Sequence, residues 1–240
     1  MQDIKIRIEK LRDEIRRHDY NYYILSQPKI SDYEYDLLMS QLKSLEDKSP
    51  ELKSKDSPTL RVSGGVLEGF NTVRHKEKML SLENTYSLEE LYQWGNRVRK
   101  ITGEKRKVEY VVELKIDGVS ASLIYNKGYF SLGATRGDGE LGEDVTLNLK
   151  TIRAIPLSLS GKNTPDFIEI RGEVYMENED FVRLNEEREN EGQPLFANPR
   201  NAASGSLKNL DSRVVYKRRL NFFAHSLGEI KGLKVDTQWD

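Results

Sequence analysis

A chain of 240 residues makes one large domain or one domain with a smaller companion, and buries enough surface to fold without metal or disulfide staples. Its 38 Lys+Arg against 39 Asp+Glu leave a net charge of −1, which excludes charge-driven disorder and a globally basic nucleic-acid coat. Zero cysteines exclude disulfides, thiolate zinc sites and cysteine nucleophiles, and with no signal peptide or long apolar run the chain reads as soluble and cytoplasmic.

Ile4, Ile8, Leu11 and Ile15 form one stripe of a first helix. Tyr20, Tyr22 and Tyr23 follow, Pro28 breaks the pattern, and Ser31-Asp32-Tyr33-Glu34 is a capping box that opens a second helix. Tyr35, Leu38, Leu42 and Leu45 are its buried stripe, and Ser49-Pro50 ends it. The two make a helical hairpin over residues 1–50, and residues 54–70, with Ser57-Pro58 and Gly64-Gly65, read as a linker. Ser87-Leu88-Glu89-Glu90 opens a third helix with Leu91, Trp94, Val98 and Ile101 on its apolar face.

After residue 107 the period becomes alternating. Tyr110, Val112, Leu114 and Ile116 point one way and Val111, Glu113, Lys115 and Asp117 the other, which predicts a strand. Residues 123–125 and 129–132, separated by Asn126-Lys127-Gly128, predict a hairpin. A strand over 168–175 sets Ile168, Ile170 and Val174 against Glu169, Arg171 and Glu173; Asn178 then caps an acidic helix, and 220–227 form a last strand. Residues 173–191 carry a net charge of −6 and residues 208–234 one of +5, the latter being the candidate phosphate-tracking surface.

Glu113, Lys115 and Asp117 on one strand face are either solvent decoration or a site, and the small residues Gly118, Ser120 and Ala121 leave room for a ligand beside the lysine. A lysine nucleophile must be neutral when it attacks, and with an ordinary pKa near 10.4 roughly one in a thousand is neutral around pH 7.4. Nearby cations favour that state and a lone carboxylate opposes it, so Glu113 suits a ligand's amine better than a base's role. Gly137 to Gly142 spell G-x-G-x-x-G, but Asp138, Glu140, Glu143 and Asp144 would repel pyrophosphate, so a dehydrogenase reading rests on little. His18, His75 and His225 show no metal-ligand spacing. The tyrosines and aspartates of the 20–36 region fit either packing or a stacking platform with acceptors for a ribose.

Glu113-Leu114-Lys115-Ile116-Asp117-Gly118 contains Lys-x-Asp-Gly, which resembles the motif of covalent nucleotidyltransferases. Met79-Leu80-Ser81-Leu82-Glu83-Asn84, the run from Ala134 to Thr146, Arg171-Gly172-Glu173-Val174 and the run from Phe196 to Ala203 lie in the order of one family. With Tyr22-Tyr23 and the 31–36 run, the chain resembles the bacterial NAD⁺-dependent DNA ligases, over most of its length.

That resemblance implies an α+β architecture: a helical subdomain over 1–55 that binds the nicotinamide mononucleotide (NMN) half, a linker over 56–70, and a nucleotidyltransferase domain of antiparallel sheets over 71–240. It implies that Lys115 attacks the α-phosphate of NAD⁺, releases NMN and carries AMP to the 5′-phosphate of nicked DNA. Ser81, Leu82 and Glu113 would bind adenosine, with Arg136 and Glu173 near ribose and phosphate. Tyr22, Tyr23, Asp32, Tyr33, Glu34, Tyr35 and Asp36 would grip the departing half, and Arg200 and Lys208 would touch DNA phosphates. Mg²⁺ would assist, its ligands unspecified, and a monomer is expected. Position 23 is His in some relatives, and Lys208 stands where many have Arg. The chain stops at Gln238-Trp239-Asp240, before two later lysine motifs, so an N-terminal fragment is expected, with noncovalent NAD⁺ binding as the alternative to reaction. The chemistry requires the Lys115 amine to sit in a pocket with Arg136 and Glu173.

Overall fold

The computed structural model describes residues 2–25, 27–61, 67–103, 108–161 and 164–234, except for the side chains of Tyr23, Ile24 and Asp32. Helix α1 (Gln2–Asp19) runs into a one-turn π-helix (Tyr20–Ile24), closed by Leu25 N–H donating to the Tyr20 carbonyl at 3.1 Å. Helix α2 (Asp32–Lys48) starts at a complete capping box: Ser31 Oγ accepts from Glu34 N–H while the Glu34 carboxylate accepts from Ser31 N–H. Ile8, Leu11, Ile15, Tyr35 and Leu42 bury between the two helices.

A charged pair lies in the same helical unit. Arg12 and Glu46 are both buried, and the Glu46 carboxylate accepts from Arg12 Nη2 at 2.5 Å, Ser57 Oγ at 2.6 Å and Thr59 Oγ1 at 2.5 Å. Ser57 and Thr59 belong to the segment the sequence marks as linker. Arg61, also buried, donates to the Ile152 and Ile155 carbonyls at 3.0 Å each and to that of Lys150 at 3.2 Å. Residues 57–61 are therefore clamped between the helices and the main body, because polar side chains beside Ser57-Pro58 found buried partners. The Gly64-Gly65 pair lies outside the described residues.

The main body is built on one antiparallel sheet in the order β3-β2-β5-β6: β2 (Val119–Asn126), β3 (Tyr129–Thr135), β5 (Phe167–Tyr175) and β6 (Asn221–Lys231). Strands β2 and β3 are joined by the two-residue turn Lys127-Gly128, both at positive φ, the backbone that a tight hairpin's twist demands. A short pair, β1 (Thr72–Arg74) with β4 (Leu141–Glu143), flanks it.

One sheet face is apolar. Ala121, Leu123 and Tyr125 of β2 with Ile168 and Val174 of β5 pack on α4 (Thr146–Thr151), α5 (Asn178–Asn190), α6 (Pro199–Leu207) and α7 (Ser212–Lys217) through Leu149, Leu184, Ala202, Ala203, Leu207 and Val215. The opposite face carries Ser120, Ser122, Glu169, Arg171 and Glu173, as the period of two in β5 predicts.

Three expectations fail. Residues 108–117 form no strand: they are irregular and largely exposed, with Val112 95% and Leu114 81% accessible, and pair with no strand among the described residues. Alternation marks which side chains share a face but supplies no hydrogen-bonded neighbour. Helix α3 (Leu88–Thr102) forms, with Ser87 Oγ accepting from Glu90 N–H, yet its intended core face stays exposed at Leu91, Trp94 and Ile101. One aromatic contact on that face is to a residue just beyond the helix, Trp94 against Tyr110 at 5.4 Å. Finally, Glu177 rather than Asn178 holds the N-cap of α5, and its side chain makes no cap bond.

Candidate active site

At the N-terminal end of β2 the chain enters the sheet through Gly118. A Cβ there would lie 2.1 Å from the Val174 carbonyl oxygen and 3.0 Å from Glu173 Cγ, so only glycine lets the backbone pass. Two residues on, Ser120 Oγ donates to Glu173 Oε2 at 2.8 Å, and the Ser120 carbonyl accepts from Arg136 N–H at 3.1 Å. Three of the predicted elements thus meet at one sheet corner: the Lys-x-Asp-Gly run, Arg136 and Glu173.

Lys115 lies three residues upstream. An extended chain of three residues spans at most about 11 Å, so its backbone leaves the corner close to Glu173. The amine itself is exposed, and among the described residues it has no hydrogen-bond or ion-pair partner. The pocket expected around Lys115 is therefore not formed by the described residues, because the 108–117 segment that carries it is largely exposed and joins no strand among them. Glu113 is exposed on the same segment. Asp117 is held instead by Arg200 Nη1, 3.2 Å from its Oδ1.

Ser81 and Leu82 are exposed beyond Met79, which is buried and whose N–H donates to the Gly139 carbonyl at 2.9 Å. The Gly137–Gly142 run is a tight turn between β3 and β4. Asp138 Oδ1 accepts from Glu140 N–H and Leu141 N–H at 2.8 Å each, and these bonds, Leu141's foremost, hold the carboxyl below the usual range. The amides that a dinucleotide fingerprint would offer to pyrophosphate are occupied by the loop's own carboxylate.

The nicotinamide-side candidates divide. Tyr22 and Asp36 line a cleft of about 870 Å³ between the helical unit and the main body, facing Arg153, Tyr216, Lys217 and Arg219. Tyr35 also lines it but is buried, and its hydroxyl donates to Asp19 Oδ1 at 2.8 Å. Burial and the neighbouring Asp19 push its phenol well above the ordinary range, and burial likewise raises Asp19. Arg153 lies over both the Tyr35 and Tyr216 rings, 4.6 and 5.1 Å from their centroids. Glu34 is engaged in its capping box, whose bonds from Ser31 lower its pKa, and it does not line the cleft. Tyr33 is exposed and does not line the cleft. The side chains of Tyr23 and Asp32 lie outside the described set.

The two expected DNA contacts are each paired with an acid: Arg200 with Asp117 at 3.2 Å and Lys208 with Glu143 at 2.5 Å. In the basic C-terminal block, Arg213 and Lys231 are likewise matched by Asp211 and Glu229. Sequence reasoning missed Arg61, Arg153 and Asp19, which hold the cleft together through contacts with no local signal. No cluster of three or more metal-binding side chains occurs among the described residues, and none of their helices is long and apolar enough to cross a membrane.

Residues 67–240 match the family described as NAD-dependent DNA ligase adenylation domain, and residues 1–63 match the DNA ligase-like, N-terminal NAD+-binding domain. A protein named DNA ligase from Desulforamulus reducens is 55% identical over 234 residues, covering 97% of this chain and 34% of that protein. The DNA ligase of Thermotoga neapolitana is 54% identical over 233 residues, 97% of this chain and 33% of that one. That of Pseudothermotoga lettingae is 52% identical over 239 residues, 100% of this chain and 35% of that one. The chain spans about a third of the length of these curated relatives.

Proposed function

Because the chain belongs to the NAD-dependent DNA ligase family, we propose that it carries the self-adenylylation step of nick sealing, with Lys115 as the nucleophile. The neutral amine attacks the α-phosphate of NAD⁺. A nitrogen–phosphorus bond forms, the phosphoanhydride bond to NMN breaks, and the amine's proton passes to solvent. The lysine then holds AMP for transfer to the 5′-phosphate of a nick, where the 3′-hydroxyl displaces it.

The observation that carries this reading is the convergence at Gly118, where Ser120 ties Glu173 to the Arg136 turn directly beside the lysine's run. Arg136 and Glu173 would serve ribose and phosphate, and Ser81, Leu82 and Glu113 adenosine. Tyr22, Tyr23, Asp32, Tyr35 and Asp36 would supply the nicotinamide side, so residues 1–55 would serve the leaving half, 56–70 join, and 71–240 serve the adenylyl half. Arg200 and Lys208 would exchange Asp117 and Glu143 for DNA phosphates. The described residues do not cage a metal, but Mg²⁺ takes most of its ligands from phosphates and water, so one carboxylate such as Glu173 would suffice. When bound, it would screen the phosphate charge. The protein would act in the cytoplasm as a monomer.

Intact mass after mixing with NAD⁺ and Mg²⁺ tests the reading. A gain of one AMP that Lys115→Ala abolishes supports it; an adduct that survives the substitution removes Lys115 from the chemistry.

A further inference from the structure

We propose that Arg171 is a positioning residue for the adenosine half of NAD⁺, acting through the loop that carries Ser81 and Leu82; the inference rests on the assignment of that loop to adenosine.

An arginine on the polar face of a strand ordinarily extends into solvent. This one is pinned: its side chain is 13% exposed, and that of Glu169, two residues earlier, is 3% exposed. Glu169 orients the guanidinium through Nε at 2.9 Å and Nη2 at 3.2 Å. Glu169 is itself oriented by Ser122 Oγ, which donates to Oε1 at 2.7 Å. It also packs under β6 at Gly228, where a Cβ would lie 2.2 Å from Oε2.

The remaining donors leave the sheet. Arg171 Nη2 donates to the Glu77 carbonyl at 2.8 Å and Nη1 to that of Lys78 at 3.3 Å. The next residue, Met79, is buried and donates its N–H to Gly139, in the turn that follows Arg136. The loop is thus moored on two sides immediately before Leu80, Ser81 and Leu82 emerge exposed. One mooring is the face that carries Glu173 and the other is the turn after Arg136, so the fork sets the loop's entry relative to both. Two carbonyls on consecutive residues need a planar fork, which a lysine ammonium does not provide.

Two variants test this: Arg171→Lys, and Arg171→Met with Glu169→Leu, which removes both charges and leaves no buried carboxylate unpaired. Binding of AMP and of NMN to the 240-residue chain is measured by calorimetry, and amide hydrogen exchange by mass spectrometry. AMP affinity should fall about tenfold in the double variant and less in Arg171→Lys, with NMN affinity within about twofold, as losing charge-assisted bonds implies. Amides of 79–83 should exchange faster while those of 141–151 hold their rates. Unchanged AMP affinity with unchanged exchange overturns the proposal, and so does an equal loss for AMP and NMN. If the wild-type chain binds no AMP, the adenylylation reading fails, while exchange at 79–83 still decides whether Arg171 moors the loop.

Discussion

Asp117, two residues after the proposed nucleophile, accepts from Arg200 Nη1 at 3.2 Å, joining the Lys-x-Asp-Gly run to the first turn of α6. The two side chains are 72% and 56% exposed, so the pair contributes at most about 1 kcal/mol to stability. Arg200→Ala should leave the urea midpoint nearly unchanged. In a ligase that binds nicked duplex, the same change should reduce the slope of log affinity against log salt by about 1, because one phosphate contact is lost. An unaltered slope would show that Arg200 serves Asp117 alone.

Gly118→Ala places a methyl group 2.1 Å from the Val174 carbonyl. The neighbour is backbone of β5, paired with β2 on one side and β6 on the other, and has nowhere to go. We expect about 1–3 kcal/mol of destabilisation by urea unfolding, as for other overpacked sites, together with loss of the AMP adduct. A fully stable Gly118→Ala protein would mean that the two strands separate freely at this corner.

Burial pushes the Glu46 carboxyl up, but hydrogen bonds from Ser57, Thr59 and Arg12 outweigh it and hold the group below the ordinary glutamate value. A folded pKa below the unfolded one gives stability that is complete above the unfolded value and is lost as pH falls through the folded one. Wild-type stability should therefore decline as the medium is acidified below about pH 4.5. Glu46→Gln removes that part of the decline and costs about 3–5 kcal/mol at neutral pH, because Arg12 loses its buried partner. Urea titrations of both proteins between pH 3 and 7 measure the difference; parallel curves would refute it.

Tyr35 belongs to the helical core, so truncating it confuses binding with folding. Tyr35→Phe keeps the ring and removes the hydroxyl that Asp19 accepts, and should cost about 1–3 kcal/mol. Asp36→Ala, at an exposed position in the cleft, should leave stability within about 0.5 kcal/mol while weakening NMN binding. Calorimetric titration with NMN separates the two effects. Unchanged NMN affinity in Asp36→Ala would take the cleft out of nicotinamide recognition.

The local grammar of this protein was written in its sequence. The α1 and α2 stripes, the Ser31 to Glu34 box, the Lys127-Gly128 turn and the two faces of β5 all follow from interactions within a few residues, where spacing alone decides geometry. The order of the nucleotidyl motifs, and the dismissal of the Gly137–Gly142 fingerprint, were equally legible, since both depend on residue identity. Residues 110–117 were not. Their alternation is real, but a strand exists only with a neighbour to bond, and α3 likewise has an apolar face that stays largely exposed among the described residues. Only the tertiary structure could join Arg61 to carbonyls some 90 residues away, Asp19 to Tyr35, or Arg171 to the loop at Glu77. Such contacts depend on where distant backbone atoms come to rest, and that is set by packing of the whole chain.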